Sequence, residues 1–216
     1  MFGFLRKKKE TVPEPVCKPV PAEERRVYML DFDRTITILH TGSVAYGKDL
    51  TPEHIHRNVK KGFAEFVHRA VNSGHAVYIA SYNDDASADV VDAEALSGHD
   101  LIKYYMDLVF GEEQNIFRPV HKNGVGGNDS FGNIIASNTQ DYKQYHFDII
   151  VAQEGLDMEN PEDMKRVYLL DDDEDVVRFF MEKGCTVIVP FSASRSADTA
   201  AMKTLFTSYM PESFIA

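Results

Sequence analysis

Two apolar segments that each run directly into carboxylates constrain this sequence most strongly. Val27-Tyr28-Met29-Leu30 is followed by Asp31 and Asp33, and the apolar residues 167–170 run into five consecutive acids at 171–175. Short apolar runs bounded by polar residues are typical of buried strands. Two such strands predict a group of carboxylates at the carboxyl edge of a sheet, where open α/β folds bind their ligands.

The segments between these strands show helical periodicity and a further strand. Thr51 and Pro52 are typical of a helix start, and apolar residues at helical spacing predict one helix from there to Asn72. A second buried strand, 75–80, ends at Ser81. The remaining pattern predicts helices over 85–96, 100–107 and 141–154, a short strand over 108–110 and a last strand over 186–189. Alternation of this kind predicts an α/β fold with a mostly parallel sheet.

The composition is that of one ordinary globular domain. The chain has 216 residues and 44% hydrophobic residues, and it contains no apolar run of the roughly 20 residues needed to span a membrane. The two cysteines, Cys17 and Cys185, lie far apart and form no metal-ligand pattern. We therefore expect a soluble, cytoplasmic protein with reduced thiols.

Charge is distributed unevenly along the chain. Residues 1–26 carry seven basic and four acidic residues, whereas the remainder carries 16 basic and 30 acidic residues, a net charge of −14. An acidic body argues against nucleic-acid binding, which requires basic surfaces. The basic, proline-rich residues 1–26 predict a flexible tail, which could make weak contact with an anionic membrane surface. Residues 27–216 are the predicted folded domain.

The segment 111–140 changes character and is rich in glycine and asparagine. It predicts a long loop or a small hairpin insertion, because such loops are uncommon in compact domains. Arg118, His121 and Lys122 could meet a charged substrate, although each one singly is better interpreted as a solvated loop residue. The glycine cluster has no following Gly-Lys-Ser/Thr, so it is not a nucleotide-binding P-loop.

Neither acidic segment fits a calcium-binding EF-hand loop, which needs glycine at position six and glutamate at position twelve. Counted from Asp31, those positions are Ile36 and Gly42. Counted from Asp171, position six is Val176, and an amphipathic helix continues from there. The acids could still ligate a hard cation such as Mg²⁺, or they could only cap a loop at Asp31 and Asp33 and form a solvated turn at 171–175.

The pattern Asp31-Phe-Asp33-Arg-Thr35 resembles the first motif of the haloacid dehalogenase-like (HAD) superfamily, most members of which are Mg²⁺-dependent phosphatases. Ser81, at the tip of the next strand, resembles the second motif. Lys143, at a helix start, resembles the third, with Lys122 as a competitor. The acids at Asp171 and Asp172 resemble the fourth. All four stand in the family's order, which is far more specific than any one of them.

The resemblance implies a Rossmann-like three-layer sandwich and a phosphoryl-transfer site. Asp31 would be the nucleophile and Asp33 the general acid and base, with Ser81 and Lys143 as the other catalytic residues. Mg²⁺ would be held by Asp31, the backbone carbonyl of Asp33, and Asp172 or Asp171. Which of the last two is the direct ligand is open, since the family's downstream acid falls on Val176 counted from Asp172 and on Asp175 counted from Asp171. The predicted substrate-binding residues are Thr35, Ser81, Arg34, Tyr82 and Asn83.

Two features of the sequence indicate an open site. Only 45 residues separate Thr35 from Ser81, which leaves room for a small cap or none. The commonest family form has glycine at the position that Arg34 occupies here. Bulkier residues at this position occur in the magnesium-dependent and protein-phosphatase-like branches. The resemblance, which extends to bacterial effector phosphatases, implies a phosphoprotein substrate such as phosphotyrosine, and also allows a secreted effector. The alternatives are a small-molecule phosphatase or phosphotransferase, and a non-catalytic module that binds phosphorylated ligands.

Overall fold

A five-stranded parallel sheet forms the centre of the molecule. The computed structural model describes residues 20–42, 44–83, 95–120, 132–139, 141–190 and 206. The sheet has the order β5-β3-β1-β6-β7, and each pair of neighbours is parallel. Its strands are β1 (Val27–Leu30), β3 (Ala76–Ser81), β5 (Ile134–Ala136), β6 (Val167–Leu170) and β7 (Thr186–Ile188), and a separate antiparallel pair joins β2 (Val44–Ala45) to β4 (Leu96–Ser97).

The order of the strands reverses at the centre of the sheet. From β1 the chain proceeds outward through β3 to β5, then returns to β6 on the other side of β1 and ends the sheet with β7. The carboxyl ends of β1 and β6 therefore lie side by side at the switch point. Because ligands of open α/β sheets bind in the crevice at such a point, the acids that follow these two strands occupy the position expected of a site.

Helices cover both faces of the sheet. Tyr28 and Leu30 belong to one apolar cluster and Val27 and Met29 to another, because successive side chains of a strand point to opposite faces. The first cluster includes residues of α1 (Pro52–Asn58), α2 (Phe63–Asn72) and α3 (Gly98–Phe110), and the second includes residues of α4 (Gln144–Glu154), α5 (Pro161–Met164) and α6 (Glu174–Glu182). The predicted α/β three-layer architecture is confirmed.

The single helix predicted from Thr51 to Asn72 is wrong, because the structure has two helices there. Thr51 caps α1 as predicted, and its side chain accepts a hydrogen bond from the His54 amide. The helix stops before Val59, whose backbone is extended and bridges Thr37. Gly62 then adopts a left-handed conformation (φ 86°) before α2 begins. The pairing of Val59 with the loop after β1 therefore interrupts the helix, although the apolar periodicity of the sequence continues through this position.

Two further local predictions differ from the structure. Residues 108–110, predicted as a strand, are the last turn of α3, where Phe110 is buried in the core. Leu96, predicted as a helix end, lies in β4. Residues 85–94 of that predicted helix lie outside the described part of the chain, and Ala95 is in no helix or strand. The predicted helices over 100–107 and 141–154 are confirmed in α3 and α4.

The described ends of the predicted tail and insertion contact the rest of the domain. The Val20 amide donates to Ser73 O at 3.0 Å, and Arg25 Nε donates to Gly74 O at 3.0 Å. Within the predicted insertion, residues 134–136 form the edge strand β5, which the sequence analysis did not predict. Residues 1–19, 121–131 and 140 lie outside the described residues, and with them His121 and Lys122. Among the described residues, no helix is long and apolar enough to cross a membrane.

Candidate active site

Backbone hydrogen bonds of the sheet set Asp31 and Asp171 side by side. The Asp31 amide donates to Leu170 O at 2.8 Å, and the Asp171 amide donates to Ile188 O at 3.4 Å. Both acids therefore continue the strand pairing by one residue beyond β1 and β6. Asp31 is 8% exposed and Asp171 is 1% exposed. Two buried carboxylates in adjacent positions require compensating charge.

Lys143 supplies that charge from the start of α4. Its Nζ lies 2.6 Å from Asp31 Oδ1 and 2.7 Å from Asp171 Oδ2, and it also donates to Ala80 O at 2.9 Å. An ammonium group has three N–H donors, so these contacts satisfy all of them, and the side chain is 1% exposed. The structure thus brings together the acid predicted as nucleophile, the lysine predicted for the third motif and the first acid of the fourth.

Unfavourable backbone conformations are concentrated at this cluster. Arg34 (φ 61°), Tyr142 (φ 53°) and Lys143 (φ 65°) are the non-glycine residues in left-handed backbone within the described part of the chain. Such conformations cost about 1–3 kcal/mol each and persist at functional sites. Two of the three residues belong to predicted motifs and Tyr142 precedes the third-motif lysine, so their placement is an independent indication of function.

The cluster is short of positive charge. Burial raises the pKa of Asp31 to about 8; Lys143 acts against this rise, and Asp171 and Asp172 add to it. Burial likewise raises the pKa of Asp172, with a further contribution from Asp171. Burial opposes a charge on Lys143, but Asp171 and Asp31 outweigh it and raise its pKa. Lys143 and the Arg34 guanidinium, whose Nη1 lies 4.0 Å from Asp172 Oδ2, face three neighbouring carboxylates, so a further cation would stabilise the ionised forms of these acids.

A cleft of about 310 Å³ opens over the cluster. Its walls combine the acids and Lys143 with residues of the loops after β1 and β3, namely Asp31, Asp33, Arg34, His40, Ser81, Tyr82, Asn83, Lys143, Asp171, Asp172 and Asp173. A larger cavity of about 630 Å³ lies beside Arg26 and Tyr168 at the opposite edge of the sheet, and none of the predicted site residues line it. The smaller cleft is therefore the candidate active site.

The loop after β3 presents polar groups to the cleft. Ser81 Oγ accepts a hydrogen bond from the Asn83 amide at 3.2 Å, and Asn83 Oδ1 accepts one from the Gly98 amide at 2.9 Å. Asn83 Nδ2 is buried and has no hydrogen-bond partner among the described residues. The ring of Tyr82 packs against the ammonium of Lys143, with Nζ 5.2 Å from the ring centroid. Asn83 thus offers an uncommitted donor beside the acids.

His146, in the first turn of α4, holds the end of β3 through a hydrogen bond to its last residue. Its Nε2 donates to Ser81 O at 3.0 Å, since a carbonyl oxygen can only accept. Burial and the neighbouring Lys143 lower the pKa of His146 to about 4. The imidazole is therefore neutral at physiological pH and acts as a structural donor that positions the β3 tip.

The loop after β1 brings Asp33 to the cleft but not Thr35. Asp33 Oδ1 accepts a hydrogen bond from the Thr41 amide at 2.7 Å, and Asp33 Oδ2 lies 3.5 Å from His40 Nδ1. Thr35 is fully buried, and it is not among the residues that line the cleft. Its hydroxyl has no hydrogen-bond partner among the described residues. The structure therefore places this predicted substrate-binding residue beneath the loop.

The residues present fit a hard divalent cation. Oxygen atoms of Asp31, Asp171 and Asp172 lie within 4.8 Å of one another, and carboxylate oxygens are the ligands that Mg²⁺ prefers. Both oxygens of Asp171 already accept hydrogen bonds, from Lys143 and from the Asp173 amide at 2.9 Å. Asp31 Oδ2 accepts none from a described residue. The least committed carboxylate oxygens are therefore those of Asp31 and Asp172, while Asp171 remains within reach of the same ion.

Sequence reasoning missed three residues of this region. His40 and Asp173 line the cleft, and Asp173 also caps α6 by accepting from the amides of Asp175 and Val176. Lys60 is 2% exposed, and its ammonium donates to Arg34 O. Burial lowers the pKa of Lys60 to about 8, against the influence of Asp172 and Asp31. Only the glycine at position 62, inside a helical pattern, hinted at a break near Lys60.

Comparison with known proteins finds no family model and no curated protein that match this sequence. The resemblance to HAD phosphatases therefore depends on the four motifs and on the geometry described above.

Proposed function

We propose that the protein is a Mg²⁺-dependent phosphomonoester hydrolase that works through a phosphorylated Asp31. The observation that carries this proposal is the position of Lys143, whose ammonium bridges Asp31 and Asp171 at 2.6 and 2.7 Å. A fixed, buried cation between two carboxylates is what attack of a carboxylate on a phosphate dianion requires, because it lowers the repulsion between like charges.

The residues of the chain can be assigned to both halves of the reaction. Asp31 Oδ2, which Lys143 leaves uncommitted, would attack phosphorus and form an aspartyl-phosphate as the leaving oxygen departs. Asp33 would protonate that oxygen, then take a proton from the water that hydrolyses the intermediate. The hydrogen bond from the Thr41 amide to Asp33 Oδ1 leaves Oδ2 for this proton transfer. Asn83 and Ser81, which both line the cleft, would bind phosphoryl oxygens.

A divalent cation would be held by the carboxylates of Asp31 and Asp172. When bound, Mg²⁺ supplies positive charge that offsets the repulsion between carboxylate and phosphate. Asp171, whose two oxygens accept from Lys143 and the Asp173 amide, would orient Lys143. This division of roles makes Asp172 the direct ligand and Asp171 its support.

The substrate we infer is a phosphorylated side chain on a protein, with phosphotyrosine the first candidate. The described residues of 36–80 form β2, a 3-10 turn, α1 and α2, which leaves no separate cap in that part of the chain. Tyr142 and Tyr145 flank Lys143 and are 52% and 44% exposed. Exposed aromatic side chains are typical of protein-binding surfaces, and these two neighbour a cleft residue in the sequence.

Hydrolysis of p-nitrophenyl phosphate with and without Mg²⁺ tests this function. The wild-type protein should release phosphate only with the metal, and Asp31→Asn should be inactive because an amide cannot act as the nucleophile. Hydroxylamine should attack the acyl carbon of phosphorylated Asp31 in the wild-type enzyme, releasing phosphate and leaving a hydroxamate, and should not modify Asp31→Asn. A panel of phosphotyrosine and phosphoserine peptides and small phosphate esters then identifies the substrate class.

Two results would contradict the proposal. Equal inactivity of wild type and Asp31→Asn, with retained binding of phosphopeptides, would indicate a non-catalytic binding module. Equal activity of the two proteins would place the chemistry elsewhere. Transfer of phosphate to an added alcohol, in place of water, would make the protein a phosphotransferase that uses the same aspartate.

A further inference from the structure

We propose that Lys60 is a positioning residue for this reaction, which holds the turn between Asp33 and Thr35 in its active conformation. The inference rests on the proposed function, because it concerns the loop that carries the general acid and base. Lys60 lies between α1 and α2 in the chain, far from every motif, and reaches the loop only through the fold.

The ammonium and the amide of Lys60 both donate to the loop after β1. Its ammonium donates to Arg34 O, and its own amide donates to Ile36 O at 2.9 Å. Asn58, at the end of α1, contacts the same loop. The Ile38 amide donates to Asn58 O at 2.6 Å, and the Leu39 amide donates to Asn58 Oδ1 at 2.8 Å. The segment between α1 and α2 is thus joined to this loop by a series of hydrogen bonds.

The residue that Lys60 holds is conformationally unfavourable. Arg34 has φ 61° and ψ −6°, a left-handed conformation that costs a side-chain-bearing residue about 1–2 kcal/mol. Without a compensating contact, that cost corresponds to about a 5- to 30-fold lower population of the turn. The hydrogen bond from Lys60 to Arg34 O holds the peptide group after Arg34 in the orientation that this conformation gives it. Asp33, which carries the carboxylate of the general acid and base, is the residue before Arg34.

Burial makes this contact demanding. Lys60 is 2% exposed, and a buried ammonium persists only where acceptors or opposite charges stabilise it. Asp172 and Asp31 favour its charged form, so Lys60 adds positive charge to an acid cluster that otherwise has Lys143 and Arg34 as its cations. The same side chain therefore fixes the loop and moderates the charge of the site.

Substitution at Lys60 and at position 34 tests the inference. Lys60→Met keeps the length of the side chain and removes its ammonium. It should lower kcat about 10- to 100-fold, as loss of a supporting contact does at catalytic sites, with KM for p-nitrophenyl phosphate changed by less than about threefold. Lys61→Met, at the exposed neighbouring lysine, is the matched control and should match wild type in both constants.

The decisive comparison is made in the Lys60→Met background. Arg34→Gly removes both the guanidinium and the cost of the left-handed conformation, whereas Arg34→Ala removes only the guanidinium. If Lys60 holds the turn, the double variant with glycine should regain at least about fivefold in kcat over the double variant with alanine. In the wild-type background, glycine and alanine at position 34 should differ by less than about twofold.

Each remaining outcome also decides the matter. Equal kcat for the two double variants, or a Lys60→Met enzyme with wild-type kcat, would overturn the inference. If Lys60→Met is too unstable to purify, recovery of folded protein with glycine but not alanine at position 34 supports it, and recovery with neither overturns it. If the wild-type protein hydrolyses nothing, the proposed function fails. The urea midpoints of the same variants then test whether Lys60 stabilises the turn at Arg34. If it does, the stability effects of substitutions at positions 60 and 34 should be non-additive.

Discussion

Lys143 Nζ lies 2.7 Å from Asp171 Oδ2, although 28 residues separate them and both side chains are buried. The same ammonium contacts Asp31, 112 residues away. One lysine therefore links the carboxyl ends of the two central strands. Its removal should affect the stability of the fold as well as the chemistry of the cleft.

Lys143→Met should abolish phosphatase activity and destabilise the metal-free protein by about 3 kcal/mol, because it leaves buried carboxylates without a partner. Added Mg²⁺ should restore part of the lost stability by supplying positive charge to the same acids. Thermal denaturation with and without the metal measures both effects. The control is Lys165→Met, at an exposed ion pair with Glu162, which should change stability by less than about 0.5 kcal/mol. Equal loss in the two variants would contradict the central role of Lys143.

Asp172→Asn should weaken Mg²⁺ binding about 10- to 100-fold or more, since a neutral amide replaces a carboxylate ligand. Folding stability should change little or increase, because Asp172 is crowded by Asp171 and its pKa is raised. Calorimetric titration with Mg²⁺ measures the affinity. Asp175→Asn removes an acid that is 64% exposed and should leave the affinity unchanged. Wild-type affinity in Asp172→Asn would rule out this residue as a ligand.

Through His75, protonation of the unfolded chain should lower stability as the pH falls from about 6.5 to about 4. Burial, with Arg26 and Arg25, lowers the pKa of His75 to about 4, whereas the unfolded chain takes up this proton near pH 6.5. Between these values the unfolded state binds more protons, so one such histidine costs about 1.4 kcal/mol of stability per pH unit. His146 acts in the same window.

His75→Asn tests this pH dependence. The asparagine oxygen can replace His75 Nδ1 as acceptor for the Arg26 amide, which the imidazole contacts at 3.1 Å, but it does not titrate. Between pH 4 and pH 7, the slope of stability against pH from urea unfolding should be smaller than in wild type by about one proton, because the other titrating groups are common to both proteins. His56→Asn, at an exposed position, is the control. Parallel curves for His75→Asn and wild type would contradict the assignment.

Tyr78→Phe should destabilise the protein by about 1.5–3 kcal/mol without affecting phosphatase activity. The Tyr78 hydroxyl donates to Glu154 Oε1 at 2.7 Å, and Arg25 Nη1 lies 2.9 Å from Glu154 Oε2. This network joins the segment before β1 to the end of α4 at a distance from the cleft, and a hydrogen bond to a charged acceptor is worth about 1.5–3 kcal/mol at most. Chemical denaturation and p-nitrophenyl phosphate turnover measure the two effects. A loss of activity at full stability would contradict this separation.

Much of the fold could be predicted because its signals are local. Four apolar runs became strands of the sheet, and Thr51 caps α1 as its sequence context indicates. The strand β5 was missed because three residues in a glycine-rich segment carry too little periodicity to identify. The helix over 51–72 was wrong because its break at Val59 arises from a bridge to Thr37, a contact that no property of residues 51–72 encodes.

The sequence by itself determined which residue types stand at the ends of β1, β3 and β6, since strand ends and helix starts follow from local patterns of apolar and polar residues. Only the tertiary structure decided that Lys143 bridges Asp31 and Asp171, that Thr35 lies beneath the cleft, and that Lys60 reaches Arg34. Strand order brings residues more than a hundred positions apart within hydrogen-bonding distance. Propensity and spacing act over a few residues and cannot specify such contacts.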